Sequence, residues 1–279
     1  MCIRDRYNSW QPYRTGLSEL PQEMLRSIDP IMTDSKKVTA GILLIGDELL
    51  SGRTQDTNLA VIAKFLEPLG VQVGEARILS DEADIISGAV KEFSERFDYV
   101  FTTGGIGPTH DDITADCIAA AFGLGISERE DALDELRKRY DERELNAARR
   151  RMARIPDGAS LIENPVSQAP GFQTRNVFTL AGVPQIMRGM LADISHRIDG
   201  GSKVYHITVS AAGIGEGDAA APLAEIETAH PGVSIGSYPW FNDDLRGVNF
   251  VARGTDESVL AVVKQDIENL VFQLTSQQV

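Results

Sequence analysis

Phe97-Asp-Tyr-Val-Phe-Thr-Thr-Gly-Gly-Ile-Gly-Pro-Thr-His-Asp-Asp-Ile-Thr114 is the stretch that decides the fold. Tyr99 to Thr103 is a short run of aromatic and β-branched residues, the composition of a buried strand. Three glycines and a proline break it, Asp111, Asp112 and Thr114 follow, and Ala115 to Phe122 reads as a helix. A glycine-rich turn between strand and helix leaves backbone N–H groups free, and the helix dipole there favours an anion such as phosphate. Carboxylates at the rim would repel that phosphate unless a divalent cation lies between them. The stretch therefore points to a phosphate ester or anhydride held with a metal. The alternative is an ordinary turn in which glycine supplies left-handed backbone. Two familiar phosphate loops are excluded. The dinucleotide fingerprint needs a third glycine where His110 stands, and the P-loop needs a lysine that this loop lacks.

Working outward, strands and helices alternate. Thr39 to Ile45 reads as a strand. Thr57 is placed to cap a helix whose Leu59, Ile62, Phe65, Leu66 and Leu69 share a face, with Gly70 as its stop. Val71 to Leu79 is a second strand, and Ser80 is placed to cap a helix carrying Ile86, Val90, Phe93 and Phe97. Near-continuous apolar strands between helices imply a sheet covered on both faces. Residues 127–153 read as a long charged helical region, its Arg149-Arg-Arg151 a solvated face or an anion contact. Asn176 to Leu180 is another strand, and Ala181-Gly-Val-Pro184 turns into a helix whose Met187 and Met190 read as packing.

A break falls near Asp199-Gly-Gly-Ser-Lys203. Beyond it three strands (Val204 to Val209, Val233 to Tyr238, Gly247 to Ala252) and two helices (Ala219 to Thr228, Asp256 to Leu274) make a small α+β module. Its glycine turn, Ala212 to Asp218, is a plain turn or a phosphate contact. The organisation expected is a leader over residues 1–37, disordered or non-native, with Met32 as the natural start; a domain over 38–200; and the module over 201–279.

Composition narrows the class. A chain of 279 residues with 42% hydrophobic content can fill a real core, and a net charge of -14 argues against non-specific nucleic-acid binding. No apolar run approaches the ~20 residues that span a membrane. Cys2 and Cys117 form no disulfide framework, Cys117 reading as a core residue, which fits a cytoplasmic setting.

Gly46, Asp47 and Glu48 end the first strand, while Gly104 to Asp112 end the third. Ligands of open α/β sheets bind outside the carboxyl ends of strands, so if these two strands are neighbours, four carboxylates and the glycine loop converge. In the plainer reading Asp47 caps a turn and Glu48 faces solvent.

Ile45-Gly-Asp-Glu-Leu-Leu-Ser-Gly52, Asp56-Thr-Asn58, Thr103 to Thr114, Asn164-Pro165 with Ala169-Pro-Gly-Phe172, and Ala181-Gly-Val-Pro184 occur in that order. Together they resemble the N-terminal domain of the CinA (competence/damage-inducible protein) family, within the molybdopterin-binding MoaB/MogA superfamily. The resemblance implies a three-layer α/β/α fold with a mostly parallel sheet, and a homo-oligomer, dimer or trimer. Relatives bind molybdopterin or nucleotide-type ligands, and the CinA-like domain is linked to hydrolysis of the pyrophosphate of ADP-ribose. The nicotinamide mononucleotide deamidase domain of full-length CinA has no counterpart in the sequence, so deamidation is not expected. Leu180-Ala-Gly-Val-Pro184 departs from the usual leucine-glycine-proline-proline, which puts the contact at that loop in question.

On these readings the chain is expected to be a metal-dependent hydrolase of a nucleoside-diphosphate-linked substrate. Asp47, Asp111 and Asp112 would bind Mg, Mn or Co. Glu48, or alternatively His110, would act as base. Gly46, Thr103, Gly104, Gly105, Gly107, Pro108, Thr109, Thr114, Asn164, Gly182 and Pro184 would line the ligand, with Asn58 orienting it. One of Asp111 and Asp112 is expected to cap the helix. The rivals are a binding or transfer protein for a pterin-phosphate such as molybdopterin, and a regulatory domain with a vestigial site. Neither nucleic acid nor membrane is an expected partner.

Overall fold

The computed structural model describes residues 37–242 and 245–276. Apart from Lys37, the expected leader, Met32 included, lies outside them. β1 (Val38–Ile45) is buried along almost its whole length, as its apolar run requires. After a short α1 (Asp47–Leu50) comes α2 (Asn58–Leu66). The residue that caps α2 is Asp56 and not Thr57: its carboxylate accepts the N–H groups of Asn58 and Leu59 at 3.2 and 3.0 Å. Gly70, at φ 71°, closes the helical segment and feeds β2 (Val71–Leu79). α3 (Ala83–Arg96) has no side-chain cap, because the Ser80 hydroxyl donates to the Glu82 carboxylate. β3 (Tyr99–Thr103) and α4 (Thr114–Phe122) follow.

Residues 127–153, expected as a long charged helical region, belong instead to a folded excursion of short helices and strands. It contains β4 (Ile126–Glu128), α5 (Glu130–Arg137), α6 (Ala147–Arg150) and β5 (Arg154–Pro156), with β4 and β5 paired antiparallel. The reason lies in its few apolar residues. Leu133, Leu136, Leu145, Ala153 and Ile155 are all buried in one cluster. One straight helix would spread them along its length, whereas folding back gathers them, and tertiary burial outweighs helix propensity. β6 (Ser160–Ile162), β7 (Gly171–Thr174) and β8 (Val177–Leu180) come next, then α7 (Pro184–Ile194), with Pro184 in its first turn.

The main sheet runs β2-β1-β3-β8-β7-β6. The first four strands are parallel; β7 and β6 extend the sheet antiparallel. Register places the carboxyl ends side by side: Ile45 pairs with Leu79, Leu44 with Thr103, and Thr103 with Leu180. Alternate residues of β1 feed opposite cores. Leu43 and Ile45 pack with Ile86, Val90, Phe93 and Ile118 on one face, while Ile42 and Leu44 pack with Ile62, Leu66, Met187 and Met190 on the other. The chain is thus a three-layer α/β/α sandwich. Phe101 and Phe178, both fully buried, stack across β3 and β8 with centroids 5.1 Å apart. Each such side chain stabilises by about 1.5–3 kcal/mol through burial alone.

Residues 199–204 carry no helix or strand. Beyond them β9 (Tyr205–Ala212), α8 (Glu216–Ala229), β10 (Ser234–Asn242), β11 (Leu245–Gly254) and α9 (Glu257–Ser276) build the small module. Its sheet runs β10-β11-β9, wholly antiparallel, around a core containing Phe250, Leu260 and Ile267. Among the described residues no helix is long and apolar enough to cross a membrane.

Candidate functional site

A cavity of about 650 Å³ opens at the carboxyl end of the parallel strands. Its floor is backbone. Gly46 leaves β1, Gly104, Gly105 and Gly107 leave β3, and Gly182 leaves β8; all five line it. Gly104 sits at φ 101°, and a Cβ there would stand 2.2 Å from the carbonyl oxygen of Ile45. Gly105, at φ 66°, would put a Cβ 2.1 Å from the Thr114 hydroxyl. Thr114 is buried and straps the loop to its helix: its hydroxyl donates to the Gly104 carbonyl at 2.9 Å and its N–H to the Gly105 carbonyl at 2.9 Å. Gly107 does not have a positive φ; a Cβ there would stand 2.7 Å from the Asp112 carboxylate, so a substitution requires that side chain to move.

Glu48, Asp81, Asp111 and Asp112 put four carboxylates on the cavity wall. β1 and β3 are neighbours, so the convergence expected from sequence requires only their shared register. Asp81, at the end of β2, was not among the expected residues. Its carboxylate accepts the N–H of Asp47 at 3.0 Å. Burial pushes its carboxyl above the ordinary carboxylate range, the Asp47 N–H opposes that shift, and repulsion from Asp47, Glu48 and Asp111 adds to it. Asp111 moves the other way. The nearby Thr109 hydroxyl and its own backbone hold it below the ordinary range. Asp112 accepts the Thr109 N–H at 2.8 Å and the Thr109 hydroxyl at 2.5 Å, closing the turn on itself. Neither aspartate caps α4, whose preceding residue, Ile113, makes no side-chain cap bond. Among the described residues, no three His, Cys, Asp or Glu side chains stand in ligating geometry.

The rest of the lining comes from the folded excursion and the connections around β8. Tyr140, Arg149, Met152, Asn164, Val183 and Ile186 contribute to it. Asn164 is buried and organises its loop, donating to Ser167 and to the Ala169 carbonyl while accepting the N–H groups of Val166 and Ser167. Tyr140 and Arg149 were missed as site residues. The arginine run was the one signal, and it could not be told from a solvated face without the fold.

Several expected residues lie off the cavity. Asp47 is exposed and engages Asp81 through its backbone. His110 is fully solvent-exposed, 4.0 Å from Asp111. Thr109 turns its N–H and hydroxyl toward Asp112, with the hydroxyl also near Asp111. Thr103 is buried behind the loop, and Pro108 lines the cavity while Pro184 does not. Asn58 is buried beneath the floor, where its amide donates to the Gly182 carbonyl at 2.7 Å and approaches the Thr103 hydroxyl at 3.5 Å. It clasps α2 to the ends of β3 and β8.

Comparison with known proteins gives this geometry a family. Residues 41–199 match the family described as "probable molybdopterin binding domain". A CinA-like protein of Gemmatimonas aurantiaca is 36% identical over 83% of this chain. The chain is a CinA-like member of that family. An Archaeoglobus fulgidus protein is 34% identical over 71% of the CinA-like chain and 84% of its own length. The chain spans 59% of the length of the Gemmatimonas relative. The crystal structure of CinA from Thermoplasma acidophilum, 37% identical, superposes with a TM-score of 0.54 over 57% of this chain and 98% of that one. The small module has its own match: residues 205–277 correspond to the "FAD synthase, middle domain" family.

Proposed function

We propose that this CinA-like chain hydrolyses the phosphate anhydride of a nucleoside-diphosphate-linked substrate, with ADP-ribose the leading candidate. The observation that carries the reading is the cavity itself: a glycine floor suited to phosphate, set against four carboxylates at the ends of parallel strands. Its volume lies within the roughly 300–1,000 Å³ usual for small-molecule sites. The match of the small module to a domain of FAD synthase supports a nucleotide over an unrelated phosphate ester.

The donor set suits a hard divalent cation. Mg²⁺ commonly takes only one or two carboxylates and completes its shell with water and substrate phosphate. Asp111, exposed and near the Thr109 hydroxyl, and Glu48 are the least committed carboxylates of the cavity wall; Asp112 is tied to both the N–H and the hydroxyl of Thr109, and Asp81 to the N–H of Asp47. We assign Asp111 and Glu48 to hold Mg²⁺, Mn²⁺ or Co²⁺, with Asp112 and Asp47 shaping the loop and the acidic pole. A bound cation would polarise the scissile P–O bond and lower the pKa of the attacking water. The glycine loop would orient the phosphate, and Met152, Val183 and Ile186 would exclude bulk water.

The test is turnover of ADP-ribose by the purified chain with each metal, for wild type, Asp111→Asn and Asp112→Asn. Asp111→Asn should lose at least about 10–100-fold in activity with its fold intact, and recover in part at high metal. Asp112→Asn should lose both stability and activity, because its bonds to Thr109 close the turn. Full turnover by both variants at low metal would refute the assignment. A second reading, a binding protein for a pterin-phosphate, is favoured by the family description; tight molybdopterin binding with no cleavage of any dinucleotide would establish it. Under either reading the active form is a homo-oligomer, dimer or trimer, and a solution mass equal to one chain of 30.4 kDa would oppose that.

A further inference from the structure

The three consecutive arginines have three different fates. Arg150 pairs with Glu128 at 2.8 Å. Arg151 reaches the Asp112 carbonyl at 3.1 Å and the Asp116 carboxylate at 3.5 Å. Arg149 has no carboxylate partner among the described residues. Its Cζ stands 4.4 Å from the centroid of the Tyr140 ring, and its Nη1 donates to the Glu144 carbonyl at 2.7 Å. Nε and Nη2 make no hydrogen bond to another described residue. The segment that carries Arg149 is fixed, since Asn146 caps α6 by accepting the Arg149 N–H at 3.0 Å.

Arg149 is also the single Lys, Arg or His among the described residues lining the cavity, against four carboxylates. In a chain of net charge -14, an unpaired arginine in that position is unusual. Elsewhere on the excursion Arg129 and Arg137 pair with nearby acids, while Arg139 and Arg143, which make no ion pair among the described residues, do not line the cavity. The Tyr140 ring and the Glu144 carbonyl hold the Arg149 guanidinium in place without cancelling its charge. A guanidinium fixed in this way keeps its remaining N–H groups for a planar, bidentate contact with a phosphate.

We infer that Arg149, seated on Tyr140, binds the second phosphate of the ligand and so selects diphosphate-linked ligands over monophosphates. The inference rests on reading the cavity as a nucleotide site. The glycine loop supplies one anion subsite and Arg149, which lines the same cavity, the other. A diphosphate reaches both, whereas a monophosphate is held by the loop alone. Selection therefore lies in a side chain, while the loop serves any phosphate through backbone.

The experiment measures equilibrium binding of ADP and of AMP, without turnover, to wild type, Arg149→Gln, Arg149→Lys and Tyr140→Leu. Wild type should bind ADP more tightly than AMP. Arg149→Gln should weaken ADP by about tenfold or more and AMP by less than about threefold. Arg149→Lys should recover only part, because an ammonium cannot make the bidentate contact, and Tyr140→Leu should give a smaller loss of the same selectivity. Thermal melting of each variant within error of wild type separates a binding effect from unfolding. Equal losses for ADP and AMP, unchanged ADP binding in Arg149→Gln, or no ADP binding by wild type would overturn the inference. Arg149-dependent ADP binding with no cleavage of ADP-ribose by any metal would leave it standing and remove the hydrolase reading. Cleavage with an unchanged KM in Arg149→Gln would do the reverse.

Discussion

Replacing Asn58 by aspartate changes one NH₂ group for one oxygen, and the structure sets what that costs. The amide donates to the Gly182 carbonyl at 2.7 Å, the side chain is buried, and its Oδ1 has no hydrogen-bond partner among the described residues. In Asn58→Asp an ionised carboxylate would meet a carbonyl oxygen at that distance with no cation beside it. Loss of the hydrogen bond costs about 0.5–1.5 kcal/mol, and an unpaired buried charge raises the total to about 3–5 kcal/mol. The chain escapes part of this by protonation, since a neutral carboxyl can donate to Gly182. A pH-dependent share of about 3 kcal/mol corresponds to a carboxyl raised by about two pKa units, from about 4 in the unfolded chain to about 6 in the folded one. A raised folded pKa means stability is lost as pH rises, here between about pH 4 and pH 6, and is flat above that. Denaturant midpoints of wild type, Asn58→Asp and Asn58→Ala across that range provide the assay. Asn58→Ala should be destabilised by an amount that does not change with pH. A penalty for Asn58→Asp that is equal at pH 4 and pH 8, or below about 1 kcal/mol at pH 8, would refute the clasp.

Gly104→Ala should cost about 1–3 kcal/mol from its positive φ alone, and more because the Ile45 carbonyl cannot retreat from a Cβ at 2.2 Å; a melting temperature equal to that of wild type would contradict this. Cys117 is buried, and burial pushes its thiol above the ordinary range. Peptide mapping after iodoacetamide at mildly alkaline pH should therefore show it unmodified until denaturant is added, and rapid native labelling would count against that packing. Glu92 is held down to about 2 by Arg77 and Arg96, so whatever it contributes is present above its ordinary value near 4.5 and is lost as pH falls toward 2. The stability gap between wild type and Glu92→Gln should close over that acid window, and should be small throughout because the pair is solvent-exposed; a gap that widens there would be inconsistent with the ion pair.

The parallel core was legible because its strands are nearly continuous apolar runs and its helices carry apolar residues at helical spacing, as in Ile86, Val90 and Phe93. The glycine loop was legible for a related reason: backbone needs of this kind can be met only by glycine, so Gly104 and Gly105 announce them. The folded excursion was not legible. Its helix-forming charged residues satisfy local propensity, and the burial of Leu145, Ala153 and Ile155 that overrides it depends on contacts far away in sequence. The short strands β6 and β7 escaped notice because three or four residues hold too little periodicity. Within the site, Asp81 could not be found from β2 alone, since its place beside Asp47 follows from strand register. The caps showed the limit of local chemistry: Thr57 and Ser80 have the right composition, yet Asp56 holds one helix and no side chain holds the other.

The backbone floor has a consequence for how this pocket can change its tastes. Gly104, Gly105 and Gly182 present no side chain, and Gly104 and Gly105 cannot acquire one without collision. Mutation therefore has little purchase on this part of the cavity. New specificities, whether arising naturally or in a selection experiment, must be written on the side-chain lining, at Tyr140, Arg149, Met152 and Ile186. A library confined to those four positions should diverge in ligand preference while every member keeps the same backbone floor.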